Sequence, residues 1–295
     1  MNYIKIEDMS LADIVLGTDG YGERIDTDTS IQLMQEYIDN GGNVIDTARL
    51  YTKGVSEEII GNYLAENNLR NSVYISTKCA HPPLDDMSKH RLTMSEIESD
   101  IDKSLIALKT DVIDIMWLHR DCTDVDVAYI IDIMNTMVKK GKIRHFGASN
   151  WTHDRITLAN TYADATGQKG FCASQILYNM ATCNDMWDKT LVVAQGEEKR
   201  KYDISKIPVF AFCSQAKGFF EKYHTNSLSQ KAIDRYSNDD TIATYHQIAE
   251  RAKNSGNTIS HTALCMLREQ SMFPLLSIIG PSNVGQLMDT LNIEK

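Results

Sequence analysis

Eight short apolar runs, rich in β-branched residues, alternate with amphipathic helical stretches along the chain. Continuous apolar runs of this length are typical of parallel strands that are buried on both faces. Eight strand–helix repeats in 295 residues, without a Pro-, Gly- or Ser-rich linker, predict an α/β fold with one (β/α)8 TIM barrel domain over residues 1–295. The predicted strands lie at residues 11–18, 43–47, 73–78, 112–118, 143–149, 171–178, 207–212 and 275–280.

Two additions to the simple barrel are predicted. Residues 1–10 indicate an N-terminal hairpin or cap before the first strand, and the polar stretch 221–240 indicates a long insert after the seventh strand. An open doubly wound sheet is the alternative fold. That fold normally has a G-x-G-x-x-G turn after its first strand, whereas LGTDGYG has a different spacing and no helix directly after it.

Helix starts are indicated by capping residues. Asp28 is the predicted cap of the first helix, and Ser95 with Glu98 forms a predicted S-x-x-E capping box. Thr152 is the predicted cap of the helix that runs to about residue 166. Glu57 is expected to serve as a first-turn negative charge on the second helix.

The charge balance limits the partners of the chain. A formal net charge of -10 argues against nucleic acid or an anionic membrane as a main partner. No apolar run reaches transmembrane length, and MNYIKIEDMS lacks the apolar core of a signal peptide, so we expect a cytoplasmic protein. The six cysteines form no C-x-x-C pair, which favours reduced thiols over disulfides or a metal site.

Ionisable residues stand where three successive predicted strands end. Asp46, Lys78 and His119 occupy these positions, and Tyr51 lies just beyond the first. The carboxyl ends of barrel strands converge on one mouth, where barrel enzymes carry their chemistry. Each residue alone is also compatible with a structural role, such as a helix cap, a loop aromatic or a core histidine. Together they predict one catalytic site.

Seven segments in order resemble the motifs of the aldo-keto reductases. IDTARLYTKGVSEEIIG is similar to the family pattern D-T-A-x-x-Y-G-x-S-E-x-x-x-G, and the others follow at family spacing. These are STK, IDIMWLHR, GKIRHFGASNW, ASQILYN, FAFCSQAKGFF and SIIGPSNVGQLMDTL. The resemblance implies reduction of an aldehyde or ketone, possibly sugar-like in class, with NADP(H) or alternatively NAD(H) as cofactor.

The resemblance also implies a catalytic tetrad, and elementary chemistry explains its composition. Hydride transfer to a carbonyl carbon requires a proton for the oxygen, which Tyr51 would donate. Lys78 is expected to lower the pKa of that phenol, and Asp46 to keep Lys78 charged. His119 would donate an N–H to the same oxygen. No metal is required by this chemistry, because the nicotinamide carries the hydride.

Further site residues follow from the resemblance. Expected cofactor contacts are Thr18, Asp46, Ser149, Asn150, Gln175, Phe212, Cys213, Gln215, Lys217, Gly218, Gly280, Ser282 and Gln286. Family members that prefer NADPH usually place Arg or Lys against the 2′-phosphate. Gly280, Ser282 and Gln286 occupy those positions without charge, which predicts a weakened preference for NADPH.

The substrate is expected to be a small carbonyl compound held by variable loops. Expected pocket residues in loops that rim the mouth are Tyr21, His81, Trp151 and Trp187. Three alternatives remain: a cofactor-binding regulatory protein on the same fold, a Schiff-base aldolase that uses Lys78, and a metal-dependent hydrolase. The last lacks the H-x-H that would end its first strand. The sequence does not define an oligomeric state.

Overall fold

The computed structural model of the chain describes residues 1–184 and 186–292. Eight parallel strands pair in sequence order and close into a barrel, which confirms the predicted TIM barrel. They follow an antiparallel hairpin of β1 (Tyr3–Ile6) and β2 (Met9–Ala12). The barrel strands are β3 (Ile14–Gly17), β4 (Val44–Asp46), β5 (Tyr74–Cys79), β6 (Ile113–Leu118), β7 (Ile143–Ser149), β8 (Ser174–Leu177), β9 (Val209–Phe212) and β10 (Leu275–Ile279).

Helices surround the barrel, and none in the described part of the chain is long and apolar enough to cross a membrane. The predicted insert after the seventh barrel strand is present and contains two short helices, α7 (Phe219–His224) and α8 (Gln230–Tyr236). The stretch 181–205 is a loop followed by α6 (Gly196–Ser205), with residue 185 outside the described residues. The helices are α1 (Thr27–Asp39), α2 (Val55–Glu66), α3 (Met94–Ala107), α4 (Val127–Lys139), α5 (His153–Thr166), α6 (Gly196–Ser205), α7 (Phe219–His224), α8 (Gln230–Tyr236), α9 (Asp239–Ser255), α10 (Ile259–Glu269) and α11 (Val284–Leu291).

The N-terminal hairpin determines which end of the barrel is available for a site. Its apolar residues Ile6, Met9 and Leu11 are buried in one cluster with the barrel-interior residues Trp117 and Phe210. Because the hairpin packs at the end where the strands begin, the carboxyl ends of the strands form the mouth. The predicted site residues stand at those carboxyl ends.

The N-cap of the first helix lies two residues earlier in the sequence than predicted. Asp26 is the N-cap of α1, and its side chain accepts the backbone N–H of Thr29 at 2.8 Å. Asp28 lies in the first turn instead. Both aspartates precede helix-compatible residues, so the sequence alone does not decide between them. Thr152 caps α5 as predicted.

The capping box of α3 is also displaced by two residues from its predicted position. Thr93 accepts the N–H of Glu96, and the Glu96 carboxylate accepts the N–H of Thr93. The predicted pair, Ser95 and Glu98, lies inside the helix, where Glu98 accepts from Lys142 at 2.7 Å. An alternative S/T-x-x-E match two residues earlier in the sequence therefore forms the cap.

The displaced cap gives a direct test of helix stability. We expect Thr93→Ala to lower the free energy of unfolding by about 1 kcal/mol, because it removes a capping hydrogen bond. Ser95→Ala should change it by less than about 0.5 kcal/mol, since the hydroxyl does not cap the helix. Urea unfolding of both variants measures the difference. A larger loss for Ser95→Ala would mean that the sequence-based cap is the true one.

Candidate active site

Lys78 is the centre of the hydrogen-bond network at the mouth. Its ammonium donates to Asp46 Oδ2 at 2.6 Å, to the Thr47 carbonyl oxygen at 2.6 Å and to Tyr51 Oη at 3.1 Å. An ammonium has three donors, so its hydrogen-bonding capacity is fully used. Only 2% of the Lys78 side chain is exposed. The structure thus brings three of the four predicted catalytic residues into direct contact.

The other carboxylate oxygen of Asp46 also has hydrogen-bond donors. Asp46 Oδ1 accepts from Ser76 Oγ at 2.6 Å and from Gln175 Nε2 at 2.9 Å. Gln175, which was expected at the nicotinamide carboxamide, therefore directs its amide nitrogen to Asp46. Thr18 Oγ1 donates to the Asp46 backbone oxygen at 3.0 Å. Ser76 did not stand out in the sequence, although it pairs with Asp46 across β4 and β5.

Tyr51 reaches Lys78 because the chain turns tightly after it. Thr52 and Lys53 have φ angles of 48° and 55°, and Gly54 has a φ of 98°, so three successive residues are in the left-handed region. A Cβ on Gly54 would overlap the guanidinium of Arg49 at 1.0 Å. The backbone angle therefore favours glycine at this position, and a larger residue would also displace the Arg49 guanidinium.

Lys78 acts on the pKa of Tyr51 in the expected direction, but burial outweighs it. Burial raises the pKa of Tyr51 above its ordinary value; Lys78 acts in the opposite direction, and the charge of Asp46 adds to the rise. For Lys78, burial alone would lower the pKa, but Asp46 and Tyr51 raise it above its ordinary value. Tyr51 is consequently a protonated phenol and Lys78 an ammonium at neutral pH.

His119 lies beside this pair just after β6. Its ring centre is 6.3 Å from that of Tyr51 and 4.6 Å from that of His81. Burial first, then the charges of Lys78, His81 and Arg120, hold the pKa of His119 well below its ordinary value. The imidazole is therefore neutral at pH 7 and keeps one N–H for donation. Its buried Nδ1 has no hydrogen-bond partner within the described residues.

The loop after β9 has the backbone shape of an anion site. Cys213, Lys217 and Gly218 all have φ angles in the left-handed region. The backbone N–H groups of Ser214 and Gln215 have no hydrogen-bond partner within residues 1–184 and 186–292. Lys217 is exposed. Unpaired N–H groups next to a cation suit a phosphate.

This loop contacts the last helix near the helix's carboxyl end. Gln215 Nε2 donates to Thr290 Oγ1 at 3.1 Å, which joins the loop to α11. Asn283 caps α11, and Gln286 Oε1 accepts the Ser282 N–H at 2.8 Å. Gly280 is exposed just before these residues. Ser214 Oγ donates to the Ile278 carbonyl oxygen at 2.7 Å, which brings the loop after β9 next to the end of β10, two residues before Gly280. The side-chain oxygen of Gln286 is already used by the Ser282 N–H.

The remaining predicted cofactor residues line the same end of the barrel. Ser149 ends β7 and is buried, and Asn150 has a φ of 59° and donates to Ser149 Oγ at 3.2 Å. Phe212 ends β9, is partly buried and packs against the barrel-interior cluster.

Two of the four expected rim aromatics are not at the surface. Trp151 has no exposed surface and packs on Phe171 and on the guanidinium of Arg155, which lies 5.2 Å from its ring centre. Tyr21 is also fully buried. Both residues lie in loops after barrel strands, as expected, but their side chains are buried. The backbone reversal at residue 150 directs Trp151 into the helix layer.

The other two expected pocket residues differ from each other. His81 stacks edge-on with His119, and its Nδ1 lies 2.6 Å from the Pro82 carbonyl oxygen. Trp187 instead packs against Tyr236 and Arg235 of α8, with the guanidinium 4.1 Å from its ring centre. His81 is thus adjacent to the predicted tetrad, whereas the contacts of Trp187 anchor its loop to the insert.

Comparison with known proteins identifies the chain. The profile of the Aldo/keto reductase family matches residues 13–295. The chain belongs to this family. It is therefore an NAD(P)H-dependent oxidoreductase, as the seven motifs indicated, and its family uses NADP(H).

Individual relatives are distant. An aryl-alcohol dehydrogenase from Pestalotiopsis microspora is 31% identical over 160 residues, which cover 51% of this chain and 40% of that protein. An aldo-keto reductase from Alternaria alternata is 26% identical, with 92% of this chain and 79% of the relative covered. The structure of a Klebsiella pneumoniae aldo-keto reductase in complex with NADPH has a TM-score of 0.74 and 20% identity, with 99% of this chain and 88% of that chain covered. This structural likeness shows the common fold.

Glu57 of the reductase has a role that the sequence did not reveal. It was expected to be a first-turn charge, yet it is fully buried. Its carboxylate accepts from Thr77 Oγ1 at 2.7 Å and pairs with Arg49 at 2.7 Å. Burial raises the pKa of Glu57, while Thr77 and Arg49 oppose this rise. The glutamate of the S-E pair in the family motif thus supports the turn that carries Tyr51. In the sequence, only the motif indicated a role for this residue.

The buried ion pair predicts a large loss of stability when its cation is removed. We expect Lys78→Met to lower the free energy of unfolding by about 3–5 kcal/mol, because Asp46 would remain buried without its cation. Adding Asp46→Asn should recover part of the loss, since the amide oxygen still accepts from Ser76 and Gln175. Urea unfolding of the three proteins is the measurement. Wild-type stability in Lys78→Met, or no recovery in the double variant, would contradict this prediction.

Proposed function

We propose that the protein reduces an aldehyde or ketone to an alcohol with NADPH or NADH, and that Tyr51 donates the proton. The direction of one hydrogen bond supports this most strongly. Lys78 has no acceptor, so it donates to Tyr51 Oη at 3.1 Å. The proton of Tyr51 therefore points away from Lys78 and is available to a substrate oxygen.

The proton transfer would follow from the charges already described. A bound reduced nicotinamide supplies the hydride that adds to the carbonyl carbon. Tyr51, a protonated phenol at neutral pH, gives its proton to the carbonyl oxygen as negative charge develops there. Lys78 stabilises the resulting phenolate, and Asp46 at 2.6 Å keeps Lys78 charged and oriented. The neutral His119 ring donates its N–H to the same oxygen.

The residues at the loop after β9 and at α11 fit a dinucleotide. The unpaired N–H groups of Ser214 and Gln215, together with Lys217, would hold the pyrophosphate. The backbone N–H groups of Val284 and Gly285 in α11 also have no partners in the described part of the chain, and the helix dipole favours an anion there. Phe212 and Asn150 at the carboxyl ends of β9 and β7 would contact the nicotinamide.

Removal of the phenolic proton tests the donor. We expect Tyr51→Phe to lower kcat by about 100-fold or more, because general-acid catalysis contributes about that factor. The dissociation constant for NADPH should change by less than about threefold, since the ring remains. Stopped-flow reduction and fluorescence titration measure the two quantities, and Tyr129→Phe on the exposed face of α4 is the matched control.

Two outcomes would count against the proposal. Turnover by Tyr51→Phe within a few-fold of wild type would rule out Tyr51 as donor. A wild-type protein that binds NADPH tightly but reduces no aldehyde or ketone would favour the regulatory, cofactor-binding alternative.

The start of α11 predicts how the two cofactors are distinguished. Because Gln286 is bonded to the helix start, Ser282 is the position with a side chain free to meet a 2′-phosphate. We expect comparable affinity for NADPH and NADH in the wild type. Ser282→Arg should raise NADPH affinity by about tenfold, since an arginine–phosphate bond is charge-assisted. Fluorescence titration with both cofactors is the test. A strong wild-type preference for NADPH, unaltered in Ser282→Arg, would place the phosphate elsewhere.

A further inference from the structure

Arg120 is a largely buried cation that the proposed proton transfer does not use. It follows His119 directly, and its side chain is 11% exposed. It donates to the His119 carbonyl oxygen at 2.8 Å, to Thr190 Oγ1 at 2.9 Å and to Asp188 Oδ2 at 3.3 Å. We propose that Arg120 determines specificity by binding an anionic group, a carboxylate or phosphate, on the carbonyl substrate. This inference rests on the proposed function.

The position of Arg120 places its charge next to the reacting groups. Its backbone is continuous with His119, whose ring contacts His81 at 4.6 Å. Burial lowers the pKa of His81, and Arg120 lowers it further while Asp188 opposes. Arg120 therefore lies close enough to affect both His81 and His119, and Asp188 lies close enough to affect His81. An anionic group bound there would be near the carbonyl that Tyr51 protonates.

Arg120 has the weakest carboxylate partner among the buried cations at this end of the barrel. Its contact with Asp188 is single, and the Asp188 side chain is 31% exposed. The other pairs are shorter and their carboxylates are less exposed: Lys78–Asp46 at 2.6 Å, Arg49–Glu57 at 2.7 Å, Arg91–Asp100 at 2.7 Å and Arg155–Asp121 at 3.2 Å, with the Asp121 side chain 15% exposed. A buried charge that is incompletely neutralised gains most from an additional anion.

The guanidinium retains capacity for such a ligand. It has five N–H donors, of which three are used in the described contacts. Asp188 is fixed independently, because its Oδ1 accepts both the N–H and the hydroxyl of Thr190. Asp188 thus stays beside Arg120 and competes with an incoming anion. Because of this competition, removing the charge of Asp188 should strengthen the binding of an anionic substrate, whereas removing Arg120 should weaken it.

The test compares substrates that differ in one charge. We would measure kcat/KM for 2-, 3- and 4-carboxybenzaldehyde and for their methyl esters, so that the position of the carboxylate is varied. The variants are Arg120→Met and Asp188→Asn. The matched control is Arg144→Met, which removes a half-exposed arginine at the opposite end of the barrel.

We expect the wild type to prefer at least one acid over its ester. Arg120→Met should reduce that acid-to-ester ratio by about 10- to 100-fold, the effect of a hydrogen bond to a charged group, with the ester changed less than about threefold. Asp188→Asn should increase the ratio, and Arg144→Met should leave it unchanged.

Three results would overturn the proposal. The first is an unchanged ratio in Arg120→Met, and the second is an equal loss for acid and ester, which indicates a structural role. The third applies if Arg120→Met does not fold. It is an acid-to-ester ratio of kcat/KM in Asp188→Asn that is equal to or below the wild-type ratio. A wild-type protein that reduces neither the acids, nor the esters, nor any other carbonyl compound would contradict the proposed function itself.

Discussion

The buried ion pair between Asp46 and Lys78 is the interaction on which the site depends. It joins β4 to β5 at their carboxyl ends, at a distance of 2.6 Å and with both side chains almost completely buried. Such a pair is costly to form and does not by itself stabilise a fold. Its cost is offset because every donor and acceptor is satisfied, with Ser76 and Gln175 on the carboxylate and Thr47 on the ammonium. The pair fixes a cation 3.1 Å from the phenol oxygen of Tyr51, which connects it to function.

The surrounding structure serves to hold that phenol in place. The left-handed turn over Thr52 and Lys53 brings Tyr51 back over the strand ends, and the Arg49–Glu57 pair supports the turn from within the protein. The hairpin closes the opposite end of the barrel, so the chemistry is confined to one mouth. Burial then keeps Tyr51 protonated and His119 neutral, which leaves both as hydrogen-bond donors toward a carbonyl oxygen.

Much of this arrangement was predictable because strand periodicity and strand ends are local features. The eight strands and the hairpin follow from residues within single runs, and the meeting of Asp46, Tyr51 and Lys78 follows from the convergence of strand ends in a barrel. Features that depend on tertiary contacts were not predicted from the sequence. Asp26 and Asp28 compete for one cap, and Ser76 faces Asp46 only through the pairing of β4 with β5. Trp151 is buried because the backbone reverses at Asn150, which has a positive φ. The sequence around residue 150 does not predict this conformation.

The solvent isotope effect on hydride transfer tests the central claim most directly. If Tyr51 donates its proton as the hydride adds, kcat/KM should fall in D2O, and the effect should persist when the transferred hydride is also replaced by deuterium. The solvent effect should disappear in Tyr51→Phe, whose residual turnover has no phenolic proton. A wild-type kcat/KM that is unchanged in D2O while the hydride isotope effect is fully expressed, or a solvent effect of the same size in Tyr51→Phe, would contradict the assignment of Tyr51 as the proton donor.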